Sequence, residues 1–366
     1  MSEFSAAESA YMARAMQLAA RGQYTAHPNP MVGCVLVRDD EIVGEGWHEL
    51  AGEAHAEFNA LNAAGDRATG ATAFVTLEPC AHEGKTPPCA PALVEAGIAE
   101  VIIAMCDPFP EVGGKGIAML ESAGIAVRTG LMGEAAAELN RGFLSRVERG
   151  RPYVRLKVGA SLDGAIAMSS GESHWITGPD ARVDVQRLRA RSGAILTGIG
   201  TVLADDPSMN VRHEEFDTAG RQPLRAVLDS ELHMPLSAGM LDLPGTTVVY
   251  CTNNTGRQPL IDAGAEVVMV NARDHYVDAD AVLADLAKRQ VNDVLVEAGP
   301  AVTGNLLSRK LVDELVIYQA PHIMGSETMP MFRTPGWQAL SDRLTVEVAD
   351  LRRVGRDIRV TVRVVK

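Results

Sequence analysis

The sequence predicts an α/β protein of two domains, spanning residues 1–147 and 148–366. Three observations carry that expectation. At 366 residues the chain is longer than one hydrophobic core usually organises. Short strand-like apolar runs alternate with helix-like amphipathic ones in both halves. Between the halves, Arg141-Gly-Phe-Leu-Ser-Arg-Val-Glu-Arg-Gly-Arg-Pro152 is basic, interrupted by glycine and ended by proline, which reads as a junction. Apolar residues make up 46% and charged residues 22%, enough to bury a core. The net charge of −13 argues against broad nucleic-acid or anionic-membrane binding, so a phosphorylated ligand would need individual basic residues. Five cysteines (34, 80, 89, 106 and 251) are too few and scattered for a disulfide framework. Cys34, Cys106 and Cys251 sit in apolar runs and are expected to pack in cores. The N-terminus lacks a basic head followed by an apolar run, and no stretch of about eighteen apolar residues occurs. A reducing, cytoplasmic location with no membrane span is the expectation.

In order, Ser5-Ala-Ala-Glu8 is a capping box opening an amphipathic helix to about Ala20, closed by Gly22. His27-Pro28-Asn29-Pro30 forms a rigid loop before a strand, Val32 to Arg38. Asp39-Asp40 turns the chain into a second strand ending near Gly46-Trp47-His48, a hairpin by length and turn chemistry. A helix carrying Glu57 follows, then a strand Ala73–Leu77, a helix from about Ala90 to Ala96 and a strand Glu100–Met105. A helix near Gly116–Ala123 and a strand Ile125–Arg128 complete the first pattern. In such layers functional residues collect at strand ends and helix starts.

The chemistry of the first half lies in Glu53-Ala-His55-Ala-Glu57, Thr76-Leu-Glu-Pro-Cys80 and Pro87-Pro-Cys89. One imidazole and two thiolates can hold zinc in three positions and leave the fourth for water. Two thiolates also cancel the metal's double charge, so the site can close without a stranded ion. Glu57 is not needed as a ligand; beside activated water it is placed to take a proton and pass it to a leaving amine. Residues two apart on a helix point roughly 200° away from each other, so His55 must sit at or just before a helix start, with Glu57 in the first turn. Asn29, locked between two prolines, and His48, His82 and Lys85 are candidate substrate contacts.

A second pattern begins at Tyr153-Val-Arg-Leu-Lys-Val158. It contains no Gly-x-Gly-x-x-Gly after its first strand, so a Rossmann dinucleotide site is not supported. Its pieces are Lys157 to Gly164, Ser173-His-Trp-Ile-Thr177, a helix after Asp180 with Arg182, Arg187, Arg189 and Arg191, and a strand Ala194–Thr197. Gly198-Ile-Gly-Thr201-Val-Leu-Ala-Asp205-Asp-Pro207 follows. Further on, Val294-Leu-Val-Glu297-Ala-Gly299-Pro-Ala-Val-Thr-Gly304-Asn305 is a strand, a glycine turn and a helix start that offers free N–H groups to an anion such as a cofactor diphosphate.

These residues carry a resemblance over essentially the whole chain. His-x-Glu followed by Pro-Cys is shared with zinc deaminases, but eight residues rather than two separate Cys80 from Cys89. That spacer, with Asn29-Pro-Met-Val-Gly33, Glu78-Pro-Cys80-x-His82-x-Gly84-x-Thr86-Pro-Pro-Cys89, Lys157–Gly164, Trp175-Ile-Thr177, Gly200-Thr201-Val-x-Ala-Asp205-Asp-Pro207 and Glu297-x-Gly299, resembles the bifunctional riboflavin-biosynthesis deaminase/reductases. The resemblance implies a cytidine-deaminase-like zinc domain followed by a dihydrofolate-reductase-like α/β domain. It implies hydrolytic removal of the 2-amino group of 2,5-diamino-6-ribosylamino-4(3H)-pyrimidinone 5′-phosphate, then NADPH-dependent reduction of the ribosyl group to a ribityl chain. One zinc ion per chain would be bound by His55, Cys80 and Cys89, with Glu57 shuttling protons and Asn29, His48, His82 and Lys85 holding substrate. In the reductase, Lys157, Asp205 and Glu297 would line the reacting end; their division of roles stays open. Ser173, Arg189, Met209, Arg212 and Glu297 would meet the phosphosugar. Gly159, Trp175, Thr201, Asp205, Ser230, Gly299, Pro300, Ala301, Val302, Thr303, Gly304 and Asn305 would meet NADPH. His174 has no assigned role. The resemblance further implies a homo-oligomer, dimer or tetramer. A nucleoside or tRNA deaminase with an accessory domain is the alternative, and a zinc-stabilised binding module a second, which would usually close the fourth metal position with another Cys or His.

Overall fold

The structure is a computed structural model and describes residues 4–81, 87–109, 113–253, 255–334 and 336–365. The chain divides into two compact units, Met1–Gly150 and Arg151–Lys366.

In the first unit, Ser5 caps helix α1 (Ala6–Ala19) and closes the capping box with Glu8. Strands β1 (Gly33–Arg38) and β2 (Glu41–Trp47) form an antiparallel hairpin. Asp39 and Asp40 turn it with φ of 51° and 62°, a left-handed pair that short acidic side chains tolerate. Helix α2 (Ala56–Ala64) packs on β2, and β3 (Thr72–Val75), α3 (Cys89–Glu95), β4 (Glu100–Ile103), α4 (Lys115–Ser122) and β5 (Ala126–Thr129) follow. The sheet order is β2-β1-β3-β4-β5, antiparallel about β1 and parallel from β3 to β5. Gly46 permits the close seat of α2, since a Cβ there would lie 2.4 Å from the carbonyl oxygen of Ala56. The cores on the sheet's two faces gather Leu36, Val75, Leu93 and Val101 on one side and Met12, Leu18, Phe74 and Ile102 on the other.

One sequence expectation is refined here and one is corrected. The division between the units falls within the basic stretch read as a junction, after Gly150, but the chain up to there is helical: α5 (Gly133–Leu139) and α6 (Arg141–Arg149) precede Gly150, which ends α6 at φ 65°. Gly142, Phe143 and Ser145 are buried and Arg149 Nε donates to Ser145 Oγ at 3.1 Å, so the glycine lies inside a helix rather than at a break. Cys106 is exposed, because β4 stops at Ile103; Cys34 and Cys251 are buried as expected.

The second unit runs β6 (Tyr153–Ser161), β7 (Ala165–Met168), α7 (Pro179–Arg191), β8 (Ala194–Gly198), α8 (Ile199–Asp205), β9 (Leu224–Leu228), β10 (Thr247–Cys251), α9 (Gln258–Asp262) and β11 (Glu266–Met269). It continues with the small strands β12 (Ala272–Arg273) and β13 (Tyr276–Val277), then α10 (Ala279–Lys288), β14 (Asp293–Val296), α11 (Pro300–Ser308), β15 (Glu314–Ala320), β16 (Thr328–Pro330), β17 (Val346–Val354) and β18 (Asp357–Val364). Nine strands form one sheet in the order β11-β10-β9-β8-β14-β6-β15-β18-β17. It is parallel from β11 to β15, with β18 and β17 added antiparallel at one edge. The parallel strands read as near-continuous apolar runs because both faces are covered. Their shared direction brings the carboxyl ends of β8, β9, β14 and β6 to one edge of the sheet.

Candidate active sites

In the first unit, β3 delivers Cys80 and the starts of two helices deliver its partners. His55 is the N-cap of α2, in extended conformation with φ −75° and ψ 166°. Glu57 therefore enters one residue inside the first turn, and Cys89 opens α3. His55 Nδ1 lies 3.6 Å from Cys80 Sγ and 3.3 Å from Cys89 Sγ, and the three donor atoms all lie within 4.8 Å of one another. The Cys80 thiol is pushed down to about 4, first by its hydrogen bond with Cys89 and also by His55, while burial opposes the shift. Cys89 is pushed up by the same bond and by burial. A soft, converging N/S/S set that holds negative charge is one that zinc satisfies. Glu57 is 3% exposed, and burial pushes its carboxyl up to about 7, with Cys80 adding to the rise. A carboxyl poised there can both take and give a proton near neutrality.

Asn29 and His48 join this cluster. His48 Nδ1 lies 3.1 Å from the carbonyl oxygen of Ala54, so that nitrogen carries the proton; Nε2, 3.0 Å from Asn29 Nδ2, accepts. Burial lowers the His48 pKa, with His55 adding to the drop, so the ring is neutral. Its ring meets that of His55 edge-on at 5.5 Å. His82 and Lys85 lie outside the described residues.

Sequence reasoning missed two residues that hold this site. The buried Glu78 carboxylate accepts from the backbone N–H groups of Asp107 (3.1 Å), Gly114 (3.0 Å), Gly116 (2.9 Å) and Ile117 (3.3 Å). It pins the turn before Cys80 to the start of α4. Asn140 donates to the Met31 carbonyl at 2.9 Å and accepts from its N–H at 2.8 Å, fixing the loop that carries Asn29. Glu78 stands beside the Pro-Cys motif and was open to suspicion; Asn140 is more than a hundred residues from its partner and carries no local signal.

In the second unit a cavity of about 570 Å³ is lined by Lys157, Gly159, Ser173, Trp175, Arg189, Arg212 and Glu297 of the expected set, with His174 and Tyr318. Lys157 comes from β6 and Tyr318 from β15, which pair as Val316 with Lys157 and Tyr318 with Gly159. Glu297, just past β14, receives Arg189 Nε at 2.7 Å and Nη2 at 3.1 Å, and Lys157 Nζ at 3.0 Å. Burial alone would raise its carboxyl, but Arg189 and then Lys157 outweigh burial and hold it well below the usual carboxylate range. Glu297 is thus ionised and saturated by two cations, which suits it to orienting Lys157 rather than to donating a proton. Arg189 Nη1 donates to the carbonyl oxygen of Asn210 at 3.1 Å, and Arg212 Nη1 to Asn210 Oδ1 at 3.0 Å.

Thr201, Asp205, Ser230 and Gly299–Asn305 do not line this cavity but follow the carboxyl ends of β8, β9 and β14 at the same sheet edge. A Cβ on Gly198 would lie 2.7 Å from Val302 Cγ2, so the turns after β8 and β14 are in contact, and Gly200 faces open space. This glycine-lined edge fits a dinucleotide's close backbone approach. Ser230 Oγ accepts from the Val277 N–H at 3.0 Å. Three expected contacts are corrected. Met209 is 1% exposed in the core with Ile195 and Val227, so its side chain does not reach ligand. Thr303 is fully buried, its hydroxyl donating to the Met331 carbonyl at 3.1 Å, and a Cβ on Gly304 would lie 1.7 Å from the carbonyl oxygen of Arg333. Both serve packing, having been read from sequence proximity to the turn.

The chain matches the cytidine and deoxycytidylate deaminase zinc-binding region over residues 5–105 and the RibD C-terminal domain over residues 152–360. It is 48% identical over 357 residues to the riboflavin biosynthesis protein RibD of Escherichia coli (strain K12), covering 95% of this chain and 97% of that protein. It is 46% identical to the Haemophilus influenzae protein of the same name, covering 99% and 98%. Among solved structures, Acinetobacter baumannii RibD superposes with a TM-score of 0.92 at 44% identity over 98% of this chain and 99% of that one. A Thermotoga maritima diaminohydroxyphosphoribosylaminopyrimidine deaminase/5-amino-6-(5-phosphoribosylamino)uracil reductase does so with a TM-score of 0.87 at 32% identity, covering 98% and 99%.

Proposed function

The chain belongs to the RibD family of bifunctional riboflavin-biosynthesis proteins, a deaminase joined to a reductase, and on that premise we propose that its first unit deaminates 2,5-diamino-6-ribosylamino-4(3H)-pyrimidinone 5′-phosphate and its second reduces the product's ribosyl group with NADPH. The observation that carries the reading is the convergence of His55, Cys80 and Cys89 beside a buried Glu57, in a chain similar to these relatives from end to end.

His55, Cys80 and Cys89 would hold one zinc ion, which would supply the Lewis acidity that activates water at neutral pH. Glu57 takes one proton from the attacking water and passes it to the ring nitrogen, then moves the proton of the added hydroxyl to the amino group, which leaves as ammonia. Asn29 and neutral His48 orient the heterocycle, one offering an amide and the other a fixed tautomer; His82 and Lys85 are further substrate contacts by likeness to the family. In the second unit Ser173 and Arg212 take the phosphate, with Arg189 anchoring both Glu297 and the Asn210 loop. Lys157, oriented by Glu297, donates to the sugar hydroxyls, and Asp205 handles the proton that the ring oxygen acquires on opening. Gly159, Trp175, Thr201, Ser230 and the turn Gly299–Val302 with Asn305 would hold NADPH, which would supply the hydride for C1′. The five cysteines are free, in keeping with a reducing cytoplasm, and no helix among the described residues is long and apolar enough to cross a membrane. Exposed Val346, Val348 and Leu351 on the edge strand β17 support a homo-oligomer, dimer or tetramer.

Supplying the diaminopyrimidine phosphate and NADPH while following ammonia release and nicotinamide absorbance separately tests both halves. Ammonia without loss of NADPH would remove the reductase reading, and no response in either channel would remove both.

A further inference from the structure

A carboxylate–imidazole pair stands in the second unit apart from the Glu297 cluster. His174 Nε2 lies 3.4 Å from Asp205 Oδ1. The two come from different walls: His174 from the irregular segment between β7 and α7, Asp205 from the last residue of α8. That segment is secured at both ends. The Gly171 N–H donates to the Met168 carbonyl at 2.9 Å. At the other end the Gly178 N–H donates to Asp357 Oδ2 at 2.7 Å, and Arg182 and Arg356 donate to the carbonyls of Thr177 (3.1 Å) and Ile176 (3.3 Å). Between these ties, Ser173, His174 and Trp175 line the cavity, yet Trp175 is 65% exposed. Arg182 stacks over its indole at 4.5 Å, and the His174 ring meets it edge-on at 4.9 Å. Side chains, rather than a strand ladder, hold the middle of the segment.

We propose that His174 is a positioning residue of the reductase half: by pairing with Asp205 it draws Ser173 and Trp175 toward α8 and so sets how tightly the cavity grips its cofactor. The inference rests on the reductase reading above. Imidazole changes charge between about pH 5 and pH 8, and only its protonated form makes an ion pair. The other charged or titratable groups on the surrounding elements are Arg182 on α7 and Arg212 and His213 in the same cavity, whereas Lys157 and Arg189 are committed to Glu297. Asp206 beside Asp205 is engaged with the Gly239 N–H at 2.9 Å. Because the pair is half exposed, its effect is modest, about two- to five-fold in affinity.

The test measures KM for NADPH and kcat of the reductase step from about pH 6 to about pH 8 in the wild type and in His174→Gln. The wild-type KM is expected to rise about two- to five-fold across that range with a smaller change in kcat. His174→Gln should flatten that rise, since the amide reaches Asp205 but does not titrate. Parallel KM profiles overturn the proposal. A second measurement needs no cofactor: tryptophan emission of the free protein against pH. Its pH-dependent component is expected in the wild type and lost in both His174→Gln and Asp205→Asn. Its absence from the wild type, or its survival in Asp205→Asn, also overturns the pairing. If the wild type consumes no NADPH at any pH, the reductase reading fails, and the fluorescence alone decides whether the clasp exists.

Discussion

Glu57 and Glu297 are both buried carboxylates, yet their surroundings drive them in opposite directions. Glu57 lies beside thiols and is pushed up to about 7, first by burial; Glu297 lies between a guanidinium and an ammonium and is held low. The first suits proton exchange and the second permanent charge. Replacing Glu57 by Gln should therefore abolish ammonia release while leaving zinc per chain near that of the wild type, because the residue is not needed as a ligand; metal analysis showing loss of zinc would contradict the assignment. Arg189→Met should act on stability instead. It leaves a buried carboxylate with Lys157 alone, a change that costs about 3 kcal/mol in buried pairs, read as a lowered urea midpoint for the second unit. The sign with pH follows from the direction of the shift. Depressed by its cations, Glu297 stabilises the wild type above the ordinary carboxylate range. The variant's carboxyl rises, so acidification can neutralise the stranded charge. The deficit should be largest at neutral pH and shrink toward about pH 5; a constant deficit would point to lost packing alone.

Among the elements, α11 shows how packing decides what a glycine is for. Gly304 faces the backbone of Arg333, and the Arg333 N–H donates to the Pro300 carbonyl at 3.0 Å. Gly304→Ala should force α11 off this strand of backbone and cost on the order of 3 kcal/mol of stability, measured by thermal unfolding, with NADPH consumption falling as a consequence. A variant of unchanged stability with weakened NADPH binding would restore the cofactor contact expected from sequence. Local chemistry was legible where it acts within a few residues: the Ser5–Glu8 box, the Asp39-Asp40 turn, and the placement of His55 at a helix start all follow from short-range geometry. What the sequence hid depends on distant partners. The junction stretch 141–152 hid the helix α6, because its buried residues show only against the rest of the unit. Arg189 looked like a free phosphate ligand because Glu297, its partner, is 108 residues away. Thr303 and Gly304 looked like a cofactor turn because the 331–333 backbone that covers them cannot be seen from their neighbours.

For the whole molecule, a chain of net charge −13 has to concentrate its cations where a phosphorylated substrate binds. The second unit lines one cavity with Arg182 and Arg212, beside the Lys157 and Arg189 already engaged with Glu297, and that is where the phosphate is proposed to sit. The two compact units each carry their own sheet and core, which makes separability the prediction at this scale. Asp205→Ala should spare ammonia release and impair only NADPH oxidation; a variant silent in both would argue that the reactions share a centre. Metal removal is the converse. The proposed zinc ligands all belong to the first unit, and the cavity of the second unit is lined by neither thiol nor His55. A chelator should therefore extinguish ammonia release, and added zinc should restore it. Given the already deaminated substrate, the stripped protein should still oxidise NADPH at close to its original rate. Were that rate to collapse with the metal and return with it, the second unit would depend on the first for more than its substrate, and the account of two self-sufficient sites would be wrong.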